Sequence, residues 1–268
     1  MRQITIAIRG AGEMATAIAS RLAASHFGRI VMSEIPLPVA VRRKVAFSEA
    51  VYSGEMVVEG VRAELVRALA DLPPVWDRKA IGILVDGEGG FIAQLVPDVL
   101  IDATMVKRRK GSLKGQGSRG TLVIGVGPGF RAPDEVDAVI ESNRGHNLGR
   151  VIYEGEAEPF SGVPGVVAGA GAERVLRAPH AGMVRPVRSI GEAVKRGDVI
   201  LYVDETPVYA GIDGVLRGLI RPIEVPEHEK VGDVDPRGDK AHCATISDKA
   251  RAIAGGVLEA VMHRFHGE

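Results

Sequence analysis

The sequence predicts an α/β unit built on a parallel sheet, then an all-β unit, then a C-terminal helix. Three observations carry this. Continuous apolar runs at residues 4–8 (ITIAI), 80–85 (AIGILV), 99–103 (VLIDA) and 121–126 (TLVIGV) read as strands covered on both faces. From about residue 137 the pattern changes to short β-rich segments divided by glycine and proline. A chain of 268 residues also exceeds the usual size of one core. The expected boundaries are 1–132 for the α/β unit, 133–246 for the β unit and 247–268 for the helix.

Residues 4–8 run into Arg9-Gly10-Ala11-Gly12-Glu13-Met14-Ala15, and residues 16–25 are good helix formers. Strand, G-x-G-x-x-A and helix in succession form the Rossmann-type dinucleotide arrangement. Gly10 permits the sharp turn and Gly12 a close backbone approach, while the N–H groups around Ala11, Glu13 and Met14 face a pyrophosphate. A second apolar run, 29–33, ends in Glu34, where an acid would accept from a ribose 2′-hydroxyl. Arg42, Arg43 and Lys44 follow and can instead receive a 2′-phosphate, so NAD and NADP both remain open. A Rossmann-like turn kept without a ligand is the alternative reading.

Ligands in such sheets lie beyond the carboxyl ends of the strands. Asp86-Gly87, Asp102 with Thr104, and Gly127 with Gly129 stand at those ends and join the candidate pocket. Between two strands lies MVKRRKGSLKGQGSRG, carrying Lys107, Arg108, Arg109, Lys110, Lys114 and Arg119 without an acid. It reads either as a lid over an anionic ligand or as a solvated loop.

In the second half, Ala178-Pro179-His180-Ala181-Gly182 and Ala210-Gly211-Ile212-Asp213-Gly214 repeat A-x-x-x-G, with Val194-Lys195-Arg196-Gly197-Asp198 between them. This resembles the biotinyl/lipoyl carrier domain, a barrel-sandwich hybrid. The span where such carriers hold their acceptor lysine reads DVILYVDETPVYA, so acylation is excluded on chemistry. The carboxylates of GDVDPRGD suit either a divalent cation or, preferably, a tight turn of hydrogen-bonding aspartates. Ser247-Asp248-Lys249 caps a last helix with an apolar stripe of Ile253, Val257, Val261 and Phe265. Gly255-Gly256 inside it implies a close neighbour, either the first unit or a second copy in a homodimer.

Lys+Arg and Asp+Glu number 34 each, so no overall field draws the molecule to nucleic acid or membrane. The single Cys243 excludes an internal disulfide, and Arg2 and Arg9 break any secretory leader, so the expected location is cytoplasmic. Cys243 beside His242 suits a sulfur or selenium carrier, although lone cysteines are usually buried small hydrophobes. His146 is a candidate ligand contact, and His263 with His266 a weak metal pair. Ser-His-Asp order, C-x-x-C and H-E-x-x-H are all missing from the sequence.

GAGEMATAIA, VRRKVAFSEAV, VLIDATMVKR, IGVGPGF, ESNRGHNLGRVIYEG, VGDVDPRGD and ISDKARAIAGGVLEAV together resemble the selenium-dependent molybdenum hydroxylase system family, the YqeB-like proteins. The resemblance implies a maturation factor for an apo molybdenum hydroxylase of the xanthine dehydrogenase type. It makes a molybdopterin nucleotide, besides NAD(P), a plausible cofactor, and it carries no catalytic residue with it. Two alternatives stand beside it: an NAD(P)-dependent oxidoreductase, and a docking scaffold with a vacant Rossmann fold.

Overall fold

The computed structural model describes residues 3–105 and 112–266 and divides into two compact units. Unit 1 comprises residues 1–38, 46–160 and 246–268; unit 2 comprises 39–45 and 161–245. The division therefore falls near 160 rather than 132. The last helix belongs to unit 1 rather than standing apart, and Lys107 to Lys110 of the basic loop lie outside the described residues.

Unit 1 runs β1 (Thr5–Arg9), α1 (Glu13–Ala24), β2 (Arg29–Glu34), α2 (Ala50–Ser53), β3 (Glu55–Val58) and β4 (Val61–Val66). It continues through α3 (Leu72–Asp77), β5 (Ile81–Val85), α4 (Phe91–Leu95), β6 (Val99–Asp102), β7 (Leu122–Val126), β8 (Arg131–Ala132) and β9 (Ala138–Ile140). Then come β10 (Val151–Ile152), β11 (Gly155–Glu156) and, after unit 2, α5 (Asp248–His266). Nine strands form one sheet in the order β10-β9-β7-β6-β1-β2-β5-β4-β3. The apolar runs sit at its centre: Ile6, Ala7, Ile8, Val31, Ile83, Leu100 and Ile101 are all fully buried.

The sheet is mixed, which corrects the expected Rossmann-like parallel sheet. β3 and β4 pair antiparallel at one edge, and β9 and β10 do so at the other. The β3–β4 hairpin turns on Glu59 (φ 46°) and Gly60 (φ 83°), both left-handed, as a two-residue turn matching strand twist requires. Its strands alternate exposed and covered residues, so they lack the continuous apolar signature of the central ones. α5 buries Ile253, Val257 and Val261 in unit 1, and at Gly256 its backbone meets Gly149 so closely that a Cβ would stand 2.1 Å from the Gly149 carbonyl oxygen. The close neighbour of the double glycine is thus within the same unit, where Ile253, Val257 and Val261 of the stripe are buried and Phe265 is half-buried.

Unit 2 contains β12 (Val175–Arg177), β13 (Gly182–Pro186), β14 (Ala193–Val194), β15 (Val199–Val203), β16 (Thr206–Tyr209), β17 (Gly214–Leu219), β18 (Glu224–Val225) and β19 (Lys230–Asp235). They form two four-stranded antiparallel sheets, β12-β19-β17-β14 and β16-β15-β13-β18, where a barrel-sandwich hybrid was expected. The two A-x-x-x-G turns deliver β13 and β17 to different sheets. Val184, Ile200, Leu201, Leu216, Val231 and Val234 make the core between them. Among the described residues no helix is long and apolar enough to cross a membrane.

Candidate functional site

The carboxyl ends of β1, β6, β7 and β9 gather most of the residues singled out in the sequence. Gly10 turns at φ 89° and donates its N–H to Ser33 O at 2.9 Å. A Cβ there would lie 3.2 Å from Ala103 O and Thr104 Cα, so both conformation and space require glycine. Gly12 is the N-cap of α1, no described side chain caps that turn, and a Cβ on Gly12 would meet nothing within 4 Å. The first turn of α1 therefore borders open space. Met14 is half-buried there.

Glu34 does not present itself to a ribose. Its two carboxylate oxygens accept from Ala11 N at 2.9 Å and Ile35 N at 2.8 Å, stapling the glycine turn to the end of β2. Burial pushes its pKa up, against the opposing pull of those two N–H groups. Arg42, Arg43 and Lys44 belong to unit 2. There Arg42 donates to His242 O and Thr245 O, Arg43 to Leu219 O and Lys44 to Ile190 O. The 2′-phosphate readers expected from sequence are carbonyl clamps.

Asp102 is buried at the end of β6; one of its oxygens pairs with Arg9 Nη1 at 3.1 Å, and the other accepts from Thr104 Oγ1 at 2.7 Å. Gly127 (φ 82°) donates to Ile140 O, and a Cβ on it would stand 2.7 Å from Ser142 Oγ. Gly129 lies further out, exposed at φ 95°.

Residues missed in the sequence complete this edge. Ser247 Oγ donates to Glu13 Oε1 at 2.7 Å, which sets the first turn of α5 beside the first turn of α1. Arg144 forms a two-pronged pair with Asp248 at 2.8 and 3.1 Å. Glu141 is buried and accepts from Asn143 N at 2.6 Å and Glu158 N at 2.7 Å. Lys249 projects among them, half-buried. Burial, reinforced by Arg144, lowers its pKa, and Glu13, Glu141 and Asp248 oppose this only in part. Among the described residues none makes a hydrogen bond or ion pair with Lys249. Sequence reading took Ser247-Asp248-Lys249 for a helix start and nothing more; only the side-by-side placing of two distant helix starts reveals its role.

The other candidates fall elsewhere. Cys243 is buried, its thiol 3.8 Å from Leu216 O, and burial raises its pKa, the opposite of a reactive carrier's. His146 is exposed. His263 lies against the Tyr153 ring, and the His266 side chain lies outside the described residues. Asp233 and Asp235 are not in a turn but on one face of β19, buried. Arg174, Arg217 and Lys230 bind Asp233, and Arg217 and Arg237 bind Asp235. Among the described residues no group of three His, Cys, Asp or Glu is placed to hold a metal.

No family model matches the chain. Over 262 residues, 97% of its length, the chain is 42% identical to YqeB of Escherichia coli (strain K12), an uncharacterized protein. The chain is YqeB-like. It spans 48% of that relative's length. Solved structures similar to this YqeB-like chain include an aspartoacylase family protein from Mesorhizobium loti, with 12% identity, 87% and 85% of the two chains covered, and a TM-score of 0.27. A succinylglutamate desuccinylase from Silicibacter matches at 14% identity over 87% and 84%, TM-score 0.23. The product-bound ectoine utilization protein EutE of Ruegeria pomeroyi matches at 10% over 87% and 58%, TM-score 0.23. Likenesses at that level assign neither fold nor activity. They also give no footing to the expected molybdenum-hydroxylase maturation factor, to an NAD(P) oxidoreductase or to a vacant docking scaffold. Glu34 turned onto the backbone and Arg42, Arg43 and Lys44 clamped on carbonyls correct the expected nucleotide-binding reading, since neither the ribose acceptor nor the 2′-phosphate cations are free for a ligand.

Proposed function

We propose that unit 1 of this YqeB-like chain binds a small carboxylate-bearing molecule at the carboxyl edge of its sheet, with Lys249 as counter-ion. The observation that carries this is the state of Lys249. A half-buried ammonium lacks most of its hydration, yet the acids around it are engaged elsewhere: Glu13 by Ser247, Glu141 by two backbone N–H groups, Asp248 by Arg144. An arriving carboxylate supplies the missing charge. It also meets the N–H ends of α1 and α5, each of which favours an anion by about 0.3–1 kcal/mol. Gly12, where a Cβ would meet nothing within 4 Å, leaves the approach to the first turn of α1 open.

The test is a thermal-shift and calorimetric titration of the full chain with succinate, acetate and inorganic phosphate, repeated on Lys249→Met. Saturable stabilisation by a carboxylate that disappears in Lys249→Met is expected. Binding unaffected by Lys249→Met, or no binding by any of the three, sinks the reading.

A further inference from the structure

The opposite end of the same sheet carries a second concavity, independent of the Lys249 site. A basin of about 810 Å³ opens where the chain enters β1, β2, β6 and β7, between the last turns of α1 and α5. That volume suits a small organic molecule. Its apolar wall is Ile4, Phe27, Val96, Met262 and Phe265. Val96 ends α4 in the left-handed region at φ 48°, uncommon for a β-branched residue, and is 53% exposed.

Among the described residues, two arginines stand at the rim. Arg119 and Arg264 are cationic, and among the described residues Arg119 has no acidic partner. Arg264 lies over the Phe265 ring, 5.9 Å from its centroid, so positive charge sits directly on the apolar wall. Asp98, the one acid among the described lining residues, accepts from Thr5 N at 2.9 Å. The carbonyl end of α1 is closed off by its own backbone: His26 at φ 68° donates to Ala23 O, and Phe27 donates to Leu22 O. The helix end thus contributes little free negative charge.

We propose that this basin is a second ligand site, taking an amphipathic monocarboxylate whose apolar body lies on Phe27, Val96, Met262 and Phe265 and whose carboxylate pairs with Arg119. Apolar burial supplies the affinity, and the arginine selects an acid over an amine of the same shape. A carboxylate held by a planar guanidinium gains two parallel hydrogen bonds, which an ammonium ligand cannot form.

The probes are decanoate and decylamine, titrated calorimetrically into the full chain below their aggregation limits. Three variants accompany the wild type: Arg119→Glu, Gly28→Trp and Lys249→Met. Gly28 lines the basin and a Cβ on it would meet nothing within 4 Å, so an indole placed there fills ligand space without touching the core. Decanoate is expected to bind saturably and decylamine at least about tenfold more weakly, with Arg119→Glu weakening decanoate by about tenfold or more. Because a carboxylate can also enter the Lys249 site, the basin variants are read in the Lys249→Met background, where Gly28→Trp should abolish the decanoate binding that remains. Equal binding of acid and amine overturns the proposal. So does decanoate binding that, in the Lys249→Met background, survives both Arg119→Glu and Gly28→Trp, or decanoate binding that Lys249→Met alone removes, which would put the acid at the other end of the sheet. Absence of saturable decanoate binding overturns it as well and leaves the Lys249 reading standing on its own titration.

Discussion

Replacing Gly256 with alanine sets the packing of α5 against an internal control one residue away. At Gly256 the new methyl would stand 2.1 Å from the Gly149 carbonyl oxygen and 3.1 Å from Ile140 Cγ2. The first contact is with backbone, so no side chain can rotate to relieve it, and helix and loop must separate by about 1 Å to reach ordinary contact. Overpacking of this kind costs roughly 1–3 kcal/mol, and backbone resistance places this site near the upper end. Alanine recovers about 1 kcal/mol in helix propensity, leaving a net loss of about 2 kcal/mol. At Gly255 a Cβ would meet nothing within 4 Å, so only the propensity gain remains, about 0.5–1 kcal/mol. The single tryptophan, Trp76, sits in α3 with its Nε1 donating to Ile30 O, and its fluorescence reports unit 1 alone. Thermal melts followed by that signal should show Gly256→Ala lowered by about 4–8 °C and Gly255→Ala raised by about 2 °C. Shifts of the same sign at both positions would refute the argument from close approach.

Three further outcomes are expected. Glu34→Gln replaces one acceptor of the glycine turn with a donor facing an N–H, so unit 1 should lose about 1–3 kcal/mol in denaturant unfolding read at Trp76. In unit 2, burial raises the pKa of Asp235, but hydrogen bonds from Arg237 and the charge of Arg217 outweigh it and hold it down at about 2; Asp233 is also lowered, by Lys230, Arg217 and Arg174 against burial. Carboxyls depressed on folding contribute stability that is complete above their ordinary value near 3.8 and drains away as pH falls towards about 2, so acid unfolding of unit 2 by circular dichroism should fall in that window and move upward in Asp233→Asn. Cys243 should resist Ellman's reagent at neutral pH in the native protein and react at once in denaturant, because burial both covers the thiol and raises its pKa.

What could be read from the sequence divides along a physical line. Central strands such as 99–101 declare themselves because both faces are covered and every residue is apolar. The edge strands β3, β4 and β10 do not, since one face meets water and the run is short. The stripe Ile253, Val257, Val261 marked α5 correctly as a helix with one buried face, yet periodicity cannot say which surface covers it, and Gly149 is more than a hundred residues away in sequence. The glycine turn at 10–12 was legible as geometry but not as chemistry. Whether Glu34 faces a ligand or the Ala11 N–H is a matter of one side-chain rotamer that composition does not encode. Asp233 and Asp235 read from sequence as a turn or a cation site, whereas period-two acids in an otherwise apolar stretch share one face of a strand, here against the buried Arg174 and Arg217. The surroundings of Lys249 were not legible, because they come from three segments far apart in the chain, at Glu13, at Glu141 with Arg144, and at Asp248.

Unit 1 closes only when its last helix arrives, and that helix is separated from the rest of the unit by the whole main segment of unit 2. On the ribosome, therefore, the nine-stranded sheet is made first but waits with the α5-facing sides of α1 and β9 uncovered while some eighty-five further residues emerge. Nascent chains halted before residue 246 should be holdase clients, and the interval between sheet and helix sets how long the molecule depends on that protection.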